Sequence, residues 1–326
     1  MTRKGTFLNV FSAVVLLTSI ILTAFIGVAH AASGNSINLV RANNQYLSIS
    51  DDKQTGLDLK EALTIEAWVK LSSLPTPGQS YTIVSKRDGS TNNRQYSFFV
   101  YNNSGTYTLS LVLSRNGDNP DSFGKVVWSS PATGTWYHIA ATWSASTQTY
   151  TAYVNGVTIG TYDSSNDSVP HIYEGGADFK IGAEEGSSIN TFDGLIDDVR
   201  VWNVVRSASD ISSNMSKELA GNETGLVGYW RLNGDLTDSS ANGNNLTNNN
   251  GANFSSDTGI TPPTNNPGSG GNTQGGGSSS GSNNSLSVQA KNFVSLFSSS
   301  KPGPSGANST LVNIFTFGLG APKNKP

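Results

Sequence analysis

Trp136-Tyr137-His138-Ile139-Ala140-Ala141-Thr142-Trp143, followed by Tyr150-Thr151-Ala152-Tyr153-Val154-Asn155-Gly156-Val157-Thr158-Ile159, is the stretch that decides the architecture. The first part reads as one long strand. The second reads as a hairpin, because Asn-Gly between alternating apolar runs supplies the two positive-φ residues that a tight turn demands. Working outward, the same period of two recurs. Upstream, Leu63-Thr64-Ile65-Glu66-Ala67-Trp68-Val69-Lys70 puts Ile65, Ala67 and Val69 on one face. Gln95 to Tyr101 is apolar on both faces, which predicts a strand between two covered surfaces. Tyr107 to Leu113 puts Leu109, Leu111 and Leu113 on one face. Downstream, Phe179 to Gly182, Leu195 to Trp202 and Leu226 to Leu232 continue the pattern. Many short strands without helices between them predict an all-β fold of two antiparallel sheets packed face to face. One helix is expected over Ala208 to Leu219. Ser207 caps it, Asp210 occupies its third position, and Ile211, Met215 and Leu219 share a face. Such a helix is expected to plug an open end of the sandwich.

Composition narrows the chemistry. The chain has 326 residues, no cysteine and 3 histidines. Disulfides, thiolate zinc sites and a cysteine nucleophile are therefore excluded, and a multi-histidine metal site nearly so. Charged residues make up 13% of the chain, about half the usual quarter. The sequence pI near 5.6 argues against nucleic acid as a partner.

The two ends differ from the middle. Arg3 and Lys4 precede an uncharged apolar run, Phe7 to Val28, and Ala29-His30-Ala31 is a cleavage signal. Residues 1–31 thus read as a secretory signal peptide. The other reading is an uncleaved anchor, since about 20 apolar residues can span a bilayer. In both cases residues 32–260 are expected outside the cytoplasm, secreted or at the cell surface, touching a membrane only through an uncleaved leader. Residues 261–285, rich in Gly, Ser, Asn and Pro, cannot bury enough apolar area to fold and read as a linker. In the tail, 286–326, Leu286, Ala290, Phe293, Val294 and Phe297 fit one face of a short helix. The net charge of -3 hides a division. The leader has two bases, and the tail adds Lys291, Lys301, Lys323 and Lys325 with no acid after Asp257. That leaves 14 bases against 23 acids in between, a net of -9. The middle is acidic and the tail basic, which suits a cation on the one and an anionic surface on the other.

Four pieces of the middle, in order, resemble one family. They are Leu63 to Lys70; Trp136 to Trp143 with Tyr153-Val154-Asn155-Gly156; Phe192-Asp193-Gly194-Leu195-Ile196-Asp197-Asp198-Val199-Arg200-Val201-Trp202; and Gly225 to Trp230 with Asp238-Ser239-Ser240 downstream. Together they resemble the laminin-G-like, concanavalin A-like jelly rolls, including the pentraxins. The spacing of His138, Thr142 and Trp143 is that of the pentraxin signature, with Ala140 in place of its cysteine. The resemblance covers roughly residues 35 to 257 and implies a jelly-roll sandwich. It also implies calcium: Asp88, Glu184 and Glu185 fall where pentraxins hold ligands, while Gly186 replaces a further ligating aspartate. Asn116 to Asp121 and Asp163 to Asp178 are further acidic loops that could supply oxygen ligands.

Enzymatic chemistry finds little support in the residues. A glycoside hydrolase needs two carboxylates flanking one bond. Ile196-Asp197-Asp198-Val199-Arg200 lacks the Glu-x-Asp-x-x-Glu pattern, and adjacent Asp197 and Asp198 should point to opposite faces. No G-x-S-x-G elbow joins a strand to a helix within the domain. His138 reads as a structural residue inside a strand. Sugar recognition, by contrast, needs aromatic faces and a few orienting polar groups. Trp128, Phe123, Tyr162, His171 and Tyr173 are the loop candidates, with Trp128, before Ser129-Ser130-Pro131, the foremost. Trp68, Trp143, Trp202 and Trp230 read as core. Two functions remain open: a non-catalytic glycan-binding or adhesive module, or a protein-interaction or structural module of the cell envelope.

Overall fold

The computed structural model describes residues 34–88, 93–118, 122–167, 169–184 and 190–260. The leader, the linker, the basic tail, Glu185 and Asn119 to Asp121 lie outside the described residues. In chain order the strands are β1 (Ser36–Leu39), β2 (Tyr46–Ile49), β3 (Ala62–Leu71), β4 (Ser80–Arg87), β5 (Arg94–Asn103), β6 (Thr106–Leu113), β7 (Ser122–Val127) and β8 (Trp136–Ser144). There follow β9 (Thr149–Val154), β10 (Val157–Asp163), β11 (Phe179–Ile181), β12 (Gly194–Trp202), β13 (Leu226–Trp230), β14 (Thr247–Asn249) and β15 (Asn253–Ser255). A short helix, α1 (Ala208–Asn214), lies between β12 and β13. Among the described residues no helix is long and apolar enough to cross a membrane.

The strands form two antiparallel sheets, as the alternation predicts. One is eight-stranded, in the order β10-β9-β8-β3-β12-β1-β15 with β13 also on β12; the other is seven-stranded, β14-β2-β11-β4-β5-β6-β7. The deciding hairpin forms as read: Val154 pairs with Val157 across a two-residue turn, and Asn155 and Gly156 both have positive φ, 51° and 74°. Between the sheets, Ile65, Val69, Ile139, Trp143 and Ile196 meet Val84, Phe98, Leu111 and Phe179, all buried. Each such side chain contributes about 1.5–3 kcal/mol. Trp230 stacks on Phe179, ring centroids 4.9 Å apart. The residues of β5 from Gln95 to Val100 are all buried, matching the strand expected to be covered on both faces.

The outer face of the eight-stranded sheet departs from expectation. Instead of plugging an end, α1 and its flanks lie across this face. The Trp68 indole donates to the Met215 carbonyl at 2.6 Å, and Ile211 packs on Ala140 and Tyr153. A Cβ on Gly156 would come within 2.8 Å of the Ser212 side chain, so only glycine admits the helix so close. The expected cap is present, Ser207 and Asp210 forming a reciprocal capping box. The helix ends at Asn214, short of Leu219. Arg200 reaches up to end it: its Nη1 donates to the Asn214 carbonyl at 3.1 Å and its Nη2 to that of Lys217 at 2.6 Å. These bonds satisfy carbonyls that a helix end leaves orphaned. Two of the four core tryptophans therefore sit elsewhere. Trp68 is half-buried on this outer face, and Trp202 joins Leu219, Leu226 and Tyr229 in a separate apolar cluster.

Candidate functional site

At the end of the sandwich where β3 finishes and β4 begins, five side chains from distant parts of the chain converge on a cleft of 490 Å³. Arg41 follows β1. Ser73 and Gln79 lie in the connection from β3 to β4, Tyr81 opens β4, and Asp193 immediately precedes β12. Sheet pairing brings them together. The Ser72 N–H donates to the Asp193 carbonyl at 3.0 Å, extending the β3–β12 ladder by one bond. Gly194, at φ 144°, keeps the strands close here; a Cβ there would sit 2.1 Å from the Lys70 carbonyl oxygen.

The polar groups of this cleft form one network. Ser73 Oγ donates to Asp193 Oδ2 at 2.5 Å and lies 2.7 Å from the Tyr81 hydroxyl. The Arg41 backbone N–H donates to Asp193 Oδ1 at 3.3 Å. The Arg41 guanidinium lies 5.0 Å from the Tyr81 ring centroid and donates to the Thr191 carbonyl at 3.0 Å. The cleft thus carries one cation, one carboxylate, an amide, and the hydroxyls of Ser73 and Tyr81. A second cleft, of 460 Å³, lies alongside and is lined by Asn38, Lys70, Ser72, Thr133, Leu195 and Asp257. Lys70 Nζ pairs with Asp257 Oδ2 at 2.6 Å, and the Trp136 indole donates to Asp257 Oδ1 at 2.7 Å. These two hydrogen bonds, Lys70's first, hold the Asp257 carboxyl below its ordinary range.

The residues singled out from sequence do not converge. Trp128, expected on a loop, is only 4% exposed. Its N–H donates to the Tyr107 carbonyl, extending the pairing one residue beyond β7. Alternation then turns Val126 and Trp128 inward, and the indole packs edge-on against Tyr137 at 5.0 Å. It is core, and its ring is not a platform for a sugar. Phe123 does face outward on β7, 37% exposed, with Phe99 edge-on at 5.8 Å and the Lys125 ammonium 4.3 Å from its ring centroid. Tyr162 packs partly against the core and donates its hydroxyl to Asp167 Oδ1 at 3.3 Å. His171 is exposed and Tyr173 half-buried. Both lie at the opposite end of β3 from the cleft, where the Ile172 N–H donates to the Lys60 carbonyl.

The described members of the expected calcium set do not make a cradle. Arg87 Nε pairs with Glu184 Oε1 at 2.5 Å, and Asn190 donates to Glu184 Oε2 at 2.9 Å, so this carboxylate is already neutralised. Asp88 accepts from Asn93 at 3.1 Å. Among the described residues no group of three or more histidine and acidic side chains could hold a metal ion. Near Asp88 the cation is a lysine. Lys86 is fully buried, pairs with Asp51 and, at 3.0 Å, with Asp58, and donates to the Ala177 carbonyl at 2.9 Å.

Asp197 and Asp198 do not point to opposite faces. The register of β12 against β3 shifts between Asp197 and Arg200, and Asp198 has φ 50°. This bulge brings both carboxylates onto the outer face. Asp197 accepts from Thr258 Oγ1 at 2.6 Å and the Gly259 N–H at 3.0 Å; Asp198 pairs with Arg200. Burial pushes Asp197 up to about 6 and Asp198 up to about 7, against the pull of Arg200. Neither lines either cleft. His138 is fully buried beside them, its Nε2 3.4 Å from Glu66 Oε2, and the Trp202 indole donates to Glu66 Oε1 at 2.8 Å. Burial holds the His138 pKa below its ordinary value.

Two face-to-face antiparallel sheets define a jelly-roll β-sandwich. The chain belongs to the family described as the concanavalin A-like lectin/glucanases superfamily, which it matches over residues 41–212. Among solved structures it resembles a candidate carbohydrate-binding protein from Bacteroides ovatus, with a TM-score of 0.51 and 21% identity over 68% of this chain. The chain spans 59% of that protein's length. It also resembles a heptameric SAP-like pentraxin from Limulus polyphemus, with a TM-score of 0.50 and 18% identity, over 68% of this chain and 95% of the pentraxin. Comparison with curated proteins finds no match.

Proposed function

We propose that the chain is a non-catalytic carbohydrate-binding module that works outside the cytoplasm. The observation that carries this reading is the end cleft, where the donors and acceptors of Arg41, Ser73, Gln79, Tyr81 and Asp193 line one space of 490 Å³. A few placed polar groups around such a space are what orient a polyhydroxylated ligand. The fold-level likeness to a candidate carbohydrate-binding protein supports the reading by analogy. The non-catalytic part rests on the acids. Asp197 and Asp198 are each 2% exposed and lie outside both clefts, and Asp193 and Asp257 are each held by hydrogen-bonding partners. The leader supports the extracytoplasmic part.

A glycan array, run once with calcium and once with chelator, tests the proposal. Specific glycans should be retained, and Asp193→Ala should weaken them. The chelator arm tests the calcium assistance implied by the family resemblance, for which the described residues supply no cradle. Retention of no glycan would overturn the reading in favour of a protein-interaction or envelope module. Release of reducing sugar from any polysaccharide would overturn its non-catalytic part.

A further inference from the structure

The two clefts share the strand ends that separate them. Ser72 lines one and Ser73 the other; Asp193 lines one and Leu195 the other. Asn38 and Val40 divide in the same way along the chain leaving β1. Each space is within the range that holds a small ligand, and the ridge between them is only one or two residues wide. Their charges also match. The first holds Arg41 and Asp193, the second Lys70 and Asp257, so each carries one positive and one negative group.

The cations are committed. Lys70 pairs with Asp257 at 2.6 Å, and Arg41 donates to the Thr191 carbonyl and covers the Tyr81 ring. An anionic sugar would meet cations whose charge is already shared, and would approach a carboxylate in either cleft. A hydroxyl meets no such obstacle, since it both donates and accepts. It can donate to the remaining carboxylate lone pairs, accept from the amides of Asn38 and Gln79, and do both with Ser72 and Thr133. Trp136 does not line the second cleft but neighbours it through Asp257 and Lys70, which do. It is half-buried, and its bond to Asp257 fixes the indole there. An apolar sugar face can stack on such a ring.

We infer that the ligand is an uncharged oligosaccharide of at least two residues, bound across the ridge with one residue in the Arg41–Asp193 cleft and the next in the Lys70–Asp257 cleft beside Trp136. This rests on the carbohydrate reading of the end cleft and deepens it.

Titration with neutral glycans of increasing length, each paired with a uronate, sulfated or sialylated counterpart of the same length, tests it. Affinity should rise roughly tenfold or more from one residue to two and then level off. The acidic counterparts should bind roughly tenfold more weakly. Trp136→Ala should bring the disaccharide affinity down toward the monosaccharide value. Lys70→Ser, at a partly exposed position, repeats the test without touching an aromatic ring. Equal or better binding of the acidic series would overturn the inference. So would monosaccharide and disaccharide affinities that are equal, or a length gain that survives both substitutions. Those results leave carbohydrate binding standing, whereas an absence of binding to every glycan sinks that reading as well.

Discussion

Each end of the sandwich has a basic side chain at its centre, and the two are used differently. At the end where β4 finishes, the Lys86 ammonium has no exposure. Two carboxylates, Asp51 and Asp58, and the Ala177 carbonyl close over it. Gln54 and Gln95 hold Asp58 in turn, at 2.6 Å and 3.1 Å. At the end where β4 begins, the Arg41 guanidinium spends its bonds on carbonyls and a ring face, and Asp193 is left beside an open cleft. A charge answered completely from within orders loops. A carboxylate that lines an open cleft with lone pairs to spare can answer a ligand.

Four substitutions bear on this contrast. Lys86→Met leaves Asp51 and Asp58 facing each other without their cation. Removing one partner of a buried pair is costly, and with both acids about one-third exposed a loss of about 3 kcal/mol is expected in urea unfolding. A change under about 1 kcal/mol would mean that the cage is not a structural device.

Asp197→Asn probes acids buried without full compensation. The Asp197 carboxyl is raised to about 6, so its stabilising effect is fully present below the unfolded range near pH 4 and is lost as pH rises through 6. The variant should reduce by an amount on the order of 2 kcal/mol the loss between about pH 4 and 7, the remainder coming from Asp198, raised to about 7, read from unfolding midpoints across pH. His138 acts oppositely. Its pKa is lowered, so its contribution is present above about 6.5 and lost as pH falls below it. The acid limb should therefore remain in the variant.

At the open end, Asp193→Ala should lower glycan affinity about tenfold and cost no more than about 1.5 kcal/mol of stability, measured by titration and melting together. A large loss of stability would erase the distinction between the ends. Ser207→Ala, remote from both clefts, sets the baseline. Loss of the cap should cost about 1 kcal/mol and leave glycan affinity where it was.

What could be read in the sequence was local. Period-two alternation and Asn155-Gly156 led to two antiparallel sheets, and Ser207 with Asp210 marked where the helix starts. The position of that helix depended on Arg200 and Trp68, which look like ordinary strand residues until their partners at the end of α1 and just beyond it are known. The bulge at Asp198 broke the alternation that placed the two aspartates on opposite faces. Trp128 misled because Ser-Ser-Pro resembles a loop beginning, while one extra ladder bond to Tyr107 carries the strand past Val127. The candidate site was hardest to see. Arg41, Tyr81 and Asp193 come from three separate parts of the chain and share no spacing signal, though Asp193 stands in the Phe192-Asp193-Gly194 stretch that marks the start of β12.

Lys86 has one more consequence. A bound metal ion fills its cage only while its free concentration exceeds a dissociation constant, and dilution or a chelator empties it. The Lys86 ammonium is delivered by its own backbone, so its local concentration is fixed by covalent geometry. The loops it gathers, at Asp51, Asp58 and Gly175 to Ala177, keep their counter-ion in any medium, calcium-rich or calcium-poor.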